Sequence, residues 1–190
     1  VTYDGYVGVK NPQIPDLMTA QEFYHAYNDV VLAENPNAKV VWTEQQLHNV
    51  ESGNSVNWVD EVTDPSVQTS HVISLSGGNE FTTHYFSAGY LNEKGNILET
   101  GYERYNLKGS IDSELNKVVK VGFTTYFTHS IRNTGSFETL RSAYRARPTG
   151  SIYYADLINP TETNDRDIDG LAMWMGIKDT QVPNPLMEVR

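Results

Sequence analysis

Hydrophobic and polar residues alternate along several stretches of the chain, and a period of two is typical of β-strands. The clearest stretch is residues 102–113, where Leu107 and Ile111 lie on one face and Arg104 and Lys108 on the other. The same pattern predicts five strands. They lie near residues 1–9, 69–78, 81–92, 102–113 and 118–130. The expected fold class is therefore all-β, with consecutive antiparallel strands.

The connections between these predicted strands differ in length. Gly77-Gly78-Asn79 and Leu115-Asn116-Lys117 predict tight turns, whereas residues 10–68, 92–101 and 131–183 form longer connections. Because short and long connections alternate, the short ones fall at one end of the sheet and the long ones at the other. Outer-membrane β-barrels have this arrangement, with short periplasmic turns and long extracellular loops.

Short helices are predicted inside the long loops. Thr19-x-x-Glu22 and Thr43-x-x-Gln46 are capping boxes, which start helices. Residues 57–62 and 137–145 predict two more short helices, and residues 146–182 are expected to form a loop. From Asn184 to Val189 the sequence predicts the start of another strand, which gives five to six strands in total.

The predicted strands are about ten residues or longer, and roughly 9–11 tilted residues cross a bilayer. No stretch approaches the roughly 18 apolar residues of a transmembrane helix. The polar face of residues 102–113, with Arg104, Lys108 and Asp112, suits a wet lumen. A barrel needs at least about eight strands, so the chain is expected to be one segment, residues 1–190, of a larger barrel domain.

A soluble, secreted β-sandwich that binds carbohydrate is the alternative, because sandwiches also alternate. The two interpretations differ in where they place Ile73, Leu107 and Phe123. A sandwich buries all three in one closed core. A barrel turns them toward lipid, together with Ile111 and Val121.

Composition narrows the function classes. The 190 residues carry a net charge of -10 and include 12 tyrosines and no cysteine. Without cysteine, neither a disulfide framework nor a cysteine-based zinc site is possible. Lysine and arginine are scattered, so the basic face of a nucleic-acid binder is missing and no nucleic-acid partner is expected.

Candidate ligand residues are few. Asp165, Asp167 and Asp169 have the spacing of a calcium loop, but Gly176 stands where the bidentate glutamate belongs, which favours an acidic solvated loop. Trp42, Trp58 and Trp174 fall in predicted loops. Their rings have the shape to stack on sugar, although packing within the loops is the simpler expectation.

The histidines are far apart in sequence and form no metal-binding motif. They are His25, His48, His71, His84 and His129. No nucleophile elbow is present, and the sequence alone cannot show the two facing carboxyl groups that glycoside hydrolysis needs. The sequence therefore predicts no catalytic, cofactor-binding or metal-ligating residue, and the protein is not expected to be an enzyme.

Four sequence segments resemble the SusC/RagA class of TonB-dependent outer-membrane transporters. They are Val72 to Glu80, Tyr85 to Gly95, Thr100 to Leu107 and Asn116 to Gly122. Residues 1–8 resemble the first barrel strand of that class, and residues 18–23 and 57–62 resemble its first long loop. The resemblance covers about two thirds of the chain and fades after Arg145.

The resemblance implies a barrel of about 22 strands around a plug domain. It also implies import of glycan fragments, peptides or similar nutrients, driven through TonB, with a SusD-like surface lipoprotein as partner and outer-membrane lipid around the wall. The plug and most of the barrel are not in this sequence. The 190 residues are therefore expected to be a fragment, and the transported substrate is not readable from them.

Overall fold

The computed structural model describes residues 1–158, 170–172, 175 and 184–189. The chain forms two compact units. Residues 1–12 and 65–134 make the sheet unit, and residues 13–64 and 135–190 make the helical unit. Two of the three longer connections predicted from the sequence, residues 10–68 and 131–183, thus supply most of the helical unit.

The sheet unit is a five-stranded antiparallel sheet in which each strand pairs with the next along the chain. Its strands are β1 Thr2–Lys10, β2 Ser66–Gly78, β3 Thr82–Lys94, β4 Gly101–Glu114 and β5 Lys120–Asn133. Each predicted strand overlaps one of these, so the antiparallel order is confirmed. The sheet is open, because β1 and β5 are its two edges and do not pair with each other.

The strand register keeps like residues on the same face. Tyr3 pairs with Ile73, Ile73 with Ala88, Ala88 with Leu107 and Leu107 with Phe127, so one apolar row crosses all five strands. A slip of one residue in any pair would turn that strand's apolar side chains to the other face. The register is therefore tied to the alternation in the sequence.

The two tight turns are closed by asparagine side chains. The Asn79 side-chain oxygen accepts hydrogen bonds from the backbone N–H groups of Phe81 and Thr82, both 2.9 Å long. Asn116 accepts from Val118 and Val119 in the same way. Residues 95–100, between β3 and β4, form a connection only one residue longer than residues 115–119. The contrast between short and long ends therefore rests on residues 11–65 and on the chain after β5.

The helical unit contains the four short helices that the sequence predicts, and two of them begin at the predicted capping boxes. They are α1 Ala20–Glu34, α2 Glu44–Ser52, α3 Trp58–Glu61 and α4 Phe137–Arg145, followed by 3₁₀ turns at Tyr154–Asp156 and Pro185–Val189.

The strand predicted from Asn184 to Val189 is wrong, because these residues form the second 3₁₀ turn. Pro185 fixes a backbone angle that suits the first position of a helical turn. The Asn184 side-chain oxygen accepts a hydrogen bond from the N–H of Leu186, and this contact begins the turn.

The core of the helical unit lies around Trp58, which is 1% exposed. Val59, Val62, Ala143 and Met175 are buried with it. Partly buried side chains pack around this cluster, namely Val56, Leu140, Ala146, Ile152, Leu186 and Val189. The core thus joins α3 and α4 to residues near the end of the chain.

Candidate functional site

The sheet has one continuous apolar face. Leu107 is 53% exposed and Phe123 is 66% exposed, although both are large apolar side chains. The other members of the face that are exposed to a similar degree are Tyr3, Ile73, Leu75, Phe86, Ile111, Val121 and Phe127. An exposed apolar surface that runs across every strand marks a face that another apolar phase or protein covers.

A row of aromatic rings crosses this face on the side of the long connections. His71, Tyr90, Tyr105 and His129 are consecutive cross-strand partners. The ring centroids of Tyr90 and Tyr105 lie 5.0 Å apart, and those of Tyr105 and His129 lie 6.4 Å apart. At the β1 end, the Tyr3 hydroxyl and His71 Nδ1 are hydrogen-bonded at 2.7 Å. The row therefore consists of rings with an apolar body and a polar tip.

Beyond this row the same face becomes polar on β3 and β4. The Tyr105 hydroxyl donates to Glu103 Oε2 at 3.2 Å, and the Asn92 amide donates to the Tyr90 hydroxyl at 3.0 Å. Glu103 and Asn92 are cross-strand partners one step further toward the long connections. On β3 and β4 the apolar surface thus ends at the aromatic row, whereas Val7 and Ile131 continue it on the two edge strands.

The opposite face of the sheet is polar along its length. Lys108 lies between two tyrosines, with its Nζ atom 5.2 Å from the ring centroids of both Tyr85 and Tyr126. Hydroxyl pairs join neighbouring strands, such as Ser74 with Tyr85 at 3.2 Å. The predicted separation of Arg104, Lys108 and Asp112 from Leu107 is confirmed, because the polar residues alternate with it along β4.

Arg104 on the polar face has an unusual environment. Its cross-strand partners are Leu91 and Ser130. Its Nε atom is buried, and the described part of the chain offers it no hydrogen-bond acceptor. A buried donor is normally satisfied.

The sandwich interpretation predicted that Ile73, Leu107 and Phe123 lie in one closed core, and this is wrong for this chain. They are 52%, 53% and 66% exposed. The buried core formed by the described residues belongs to the helical unit instead. The physical reason is that the sheet has no second layer within its own unit.

Two of the three candidate tryptophans pack inside the helical unit. Trp58 is buried, and its indole N–H donates to the Arg147 carbonyl at 2.9 Å. Trp42 packs against Phe23, Tyr24 and Tyr27, and its N–H donates to Asn28 Oδ1 at 3.0 Å. Trp58 therefore has no free face for a sugar. Trp174 lies outside the described residues.

Helix α2 presents three buried amides, which the sequence analysis did not single out. Asn49 Nδ2 donates to the Thr149 carbonyl at 2.9 Å and to Ser151 Oγ at 3.1 Å. Gln45 Nε2 donates to the Asp156 carbonyl at 3.2 Å, and Gln46 Nε2 to Thr149 Oγ1 at 3.2 Å. These contacts fasten the segment after α4 to α2. The available signal was amides at positions i and i+4 of one short helix, at Gln45 and Asn49.

The structure does not bring the histidines together into a cluster. His71, His84 and His129 lie on the apolar face of the sheet, while His25 and His48 belong to α1 and α2. Among the described residues, no three His, Asp or Glu side chains are grouped as metal ligands. Asp165, Asp167 and Asp169 lie outside the described residues.

No helix in the described part of the chain is long and apolar enough to span a membrane.

Comparison with known proteins gives two matches that bear on these features. No family model matches the chain. It is 23% identical over 172 residues to a TonB-dependent receptor of Formosa agariphila, covering 85% of this chain and 17% of that receptor. It is 26% identical over 100 residues to a second TonB-dependent receptor of the same organism, covering 53% of this chain and 10% of that protein. Both similarities support a relationship between this chain and the TonB-dependent receptor family.

Proposed function

We propose that this chain is part of the wall of a TonB-dependent outer-membrane importer. The observation that carries the proposal is the division of one five-stranded sheet into a continuous apolar face and a continuous polar face. In an outer-membrane barrel the apolar face contacts lipid and the polar face contacts the lumen. The similarity to two TonB-dependent receptors supports the same class of protein.

The dimensions of the sheet fit a bilayer. Each of β2 to β5 has 13 or 14 residues, which exceeds the roughly 9–11 tilted residues that cross a membrane. From Tyr105 to Ile111 the apolar side of β4 runs for about 20 Å at roughly 3.4 Å per residue. A strand tilt of about 40° reduces this to a height of about 16 Å, which lies within the apolar band of about 25 Å on such barrels.

The open edges of the sheet imply further strands. Unpaired backbone groups in hydrocarbon cost several kcal/mol each, so β1 and β5 need strand partners that the described residues do not provide. In the proposed protein these are the remaining strands of a barrel of about 22. The chain is then one part of a single receptor domain, and a plug inside the barrel makes the contact with TonB.

The finer proposal is a SusC/RagA-like receptor that imports glycan fragments or peptides with a SusD-like lipoprotein. It rests on the sequence segments around Gly77-Gly78-Asn79 and Gly101-Tyr102-Glu103-Arg104. The buried Nε atom of Arg104, without an acceptor in the described chain, supports a polar face that contacts another part of the protein. Such a protein transports its substrate and does not transform it.

A cysteine scan of β4 tests the proposal. Because this chain contains no cysteine, its 190 residues carry no label other than the one at the introduced position. Positions 105–112 are changed to cysteine one at a time in the protein expressed from its complete gene, and spin-labelled in outer membranes. We expect oxygen to broaden the signal at Leu107, Gly109 and Ile111. A water-soluble nickel reagent should broaden it at Asn106, Lys108 and Ser110.

The control is the same protein without an introduced cysteine, which gives the background from the rest of the polypeptide. Equal access of the nickel reagent to both sets of positions would contradict a lipid-facing surface. Exclusion of both reagents from the odd positions would indicate a protein core, as in a soluble sandwich.

A further inference from the structure

A groove in the helical unit has the features of a separate binding site. Its volume is about 410 Å³, within the range of about 300–1,000 Å³ typical of ligand pockets. It is lined by Leu17 and Met18 before α1, by Phe23 of α1, and by Tyr144, Arg145 and Arg147 at the end of α4. All these residues belong to the same compact unit.

The groove keeps apolar side chains exposed. Met18 and Tyr144 are each 57% exposed. The buried ring of Trp58 lies at the base, where its indole N–H is held by the Arg147 carbonyl at 2.9 Å. The apolar walls are thus fixed by the core beneath them and remain open to a ligand.

The charge of the groove differs from that of the chain. The chain has a net charge of -10, yet the described residues lining the groove include two arginines and no aspartate or glutamate. The Arg147 guanidinium lies over the Tyr27 ring, 5.3 Å from its centroid. Arg145 has no ion-pair partner among the described residues. Glu22, the acidic residue next to Phe23, already accepts hydrogen bonds from Thr19.

We propose that this groove binds a peptide that presents a large apolar side chain beside a carboxylate. Arginine is suited to carboxylates, with which it forms paired hydrogen bonds. Methionine, arginine and aromatic side chains together are the composition enriched where proteins bind polypeptide chains. A sugar would press its hydroxyl groups against Leu17 and Met18, and a polar group buried without a partner is costly.

This inference rests on the proposed function in one respect. If the protein is an importer, the peptide that binds the groove is the class of nutrient that it imports. Binding to the groove and membrane insertion of the sheet are measured separately. Failure of the peptide assay therefore leaves the result of the cysteine scan intact, and the reverse also holds.

The test is fluorescence anisotropy with the purified protein from the complete gene and a labelled hexapeptide that has one leucine between two glutamates. We expect saturable binding that weakens at least tenfold in R145E. R141E is the matched control, because it makes the same change of charge on the same helix, at an arginine that pairs with Glu138 outside the groove. It should stay within about twofold of the unmodified protein, since an exposed ion pair contributes little.

Two further variants keep the test informative if R145E disturbs α4. Met18→Ser removes an apolar contact without touching that helix, and it should weaken binding severalfold. Arg145→Lys keeps the positive charge but loses the paired hydrogen bonds, so its affinity should fall between those of the unmodified protein and R145E. Unchanged affinity in both R145E and Met18→Ser would overturn the proposal.

Competing ligands distinguish the chemical class. The hexapeptide with glycine in place of leucine, and the one with glutamines in place of glutamates, should each bind at least fivefold more weakly. An oligogalacturonate of equal charge should not compete, and neither should laurate, which has an apolar chain and a carboxylate but no peptide backbone. Tighter binding of either competitor than of the peptide would contradict the assignment.

Discussion

The two capping boxes of the helical unit use the same geometry with different chemistry. At α1 the Thr19 N–H donates to Glu22 Oε2 at 2.9 Å, and at α2 the Thr43 N–H donates to Gln46 Oε1 at 3.0 Å. The Thr19 backbone N–H and then its hydroxyl hold the pKa of Glu22 below its ordinary value. The amide of Gln46 does not titrate. Both boxes were predictable because the contact spans three residues and needs no distant partner.

The start of α1 should therefore be sensitive to acid and the start of α2 should not. A lowered folded-state pKa contributes stability above the unfolded-state pKa of about 4.3, and that contribution is lost as the pH falls through the folded-state pKa. Between roughly pH 6 and roughly pH 3, amide exchange at residues 20–23 should rise after correction for intrinsic rates. Exchange at residues 44–47 is the internal control. Equal acceleration at both sites would argue against a role for the Glu22 carboxylate.

At the scale of elements, the features that depend on local sequence pattern were predictable, and the features that depend on contacts between distant residues were not. Alternation located β2 to β5 within a few residues of their ends, because it depends only on which face each side chain takes. The partner of α2 was not predictable, since Asn49 and Thr149 lie 100 residues apart. The last turn was assigned wrongly because the Asn184 amide is held by the distant carbonyls of Ile152 and Ala172.

The amides of α2 should control the stability of the segment after α4. Asn49→Ala leaves the Thr149 carbonyl and the Ser151 hydroxyl without this donor. A buried polar group left unsatisfied costs about 1–3 kcal/mol. Hydrogen exchange should show the opening free energy of residues 149–158 falling by that amount. His48→Ala changes the neighbouring, exposed side chain and should have no such effect. A similar drop in both variants would contradict the role of the Asn49 amide, and helix propensity would not explain it because alanine favours the helix at both positions.

For the whole molecule, the decisive property is that adjacent residues of one strand face different surroundings. Leu107 lies on the apolar face and Asn106 on the polar face, where it accepts a hydrogen bond from Thr128 Oγ1 at 3.1 Å. The sequence predicted both faces, because the alternation of β4 is uninterrupted. The described residues of the sheet unit provide no second layer. What covers the apolar face therefore lies outside this unit and could not be predicted from its residues.

Charge placed on the two faces should have unequal effects. Leu107→Arg puts a cation into the apolar band, which costs about 2–4 kcal/mol near the middle of a bilayer. Asn106→Arg puts the same cation one residue away on the polar face and should cost much less. The fraction of protein that keeps its heat-modifiable folded mobility in outer membranes measures both. Equal losses in the two variants would contradict a membrane-facing surface.

The unequal connections of the sheet also imply an order in which it forms. Strands β2 to β5 are joined by residues 79–81, 95–100 and 115–119, whereas β1 is separated from β2 by residues 11–65. Closing the longer connection costs about 2–3 kcal/mol more than closing a tight turn, because loop entropy grows with the logarithm of length. The four-stranded meander can therefore assemble from its hairpins first, and β1 joins it last. Part of the entropy is removed when residues 13–64 fold into the helical unit, so the folding of that unit lowers the cost of adding β1.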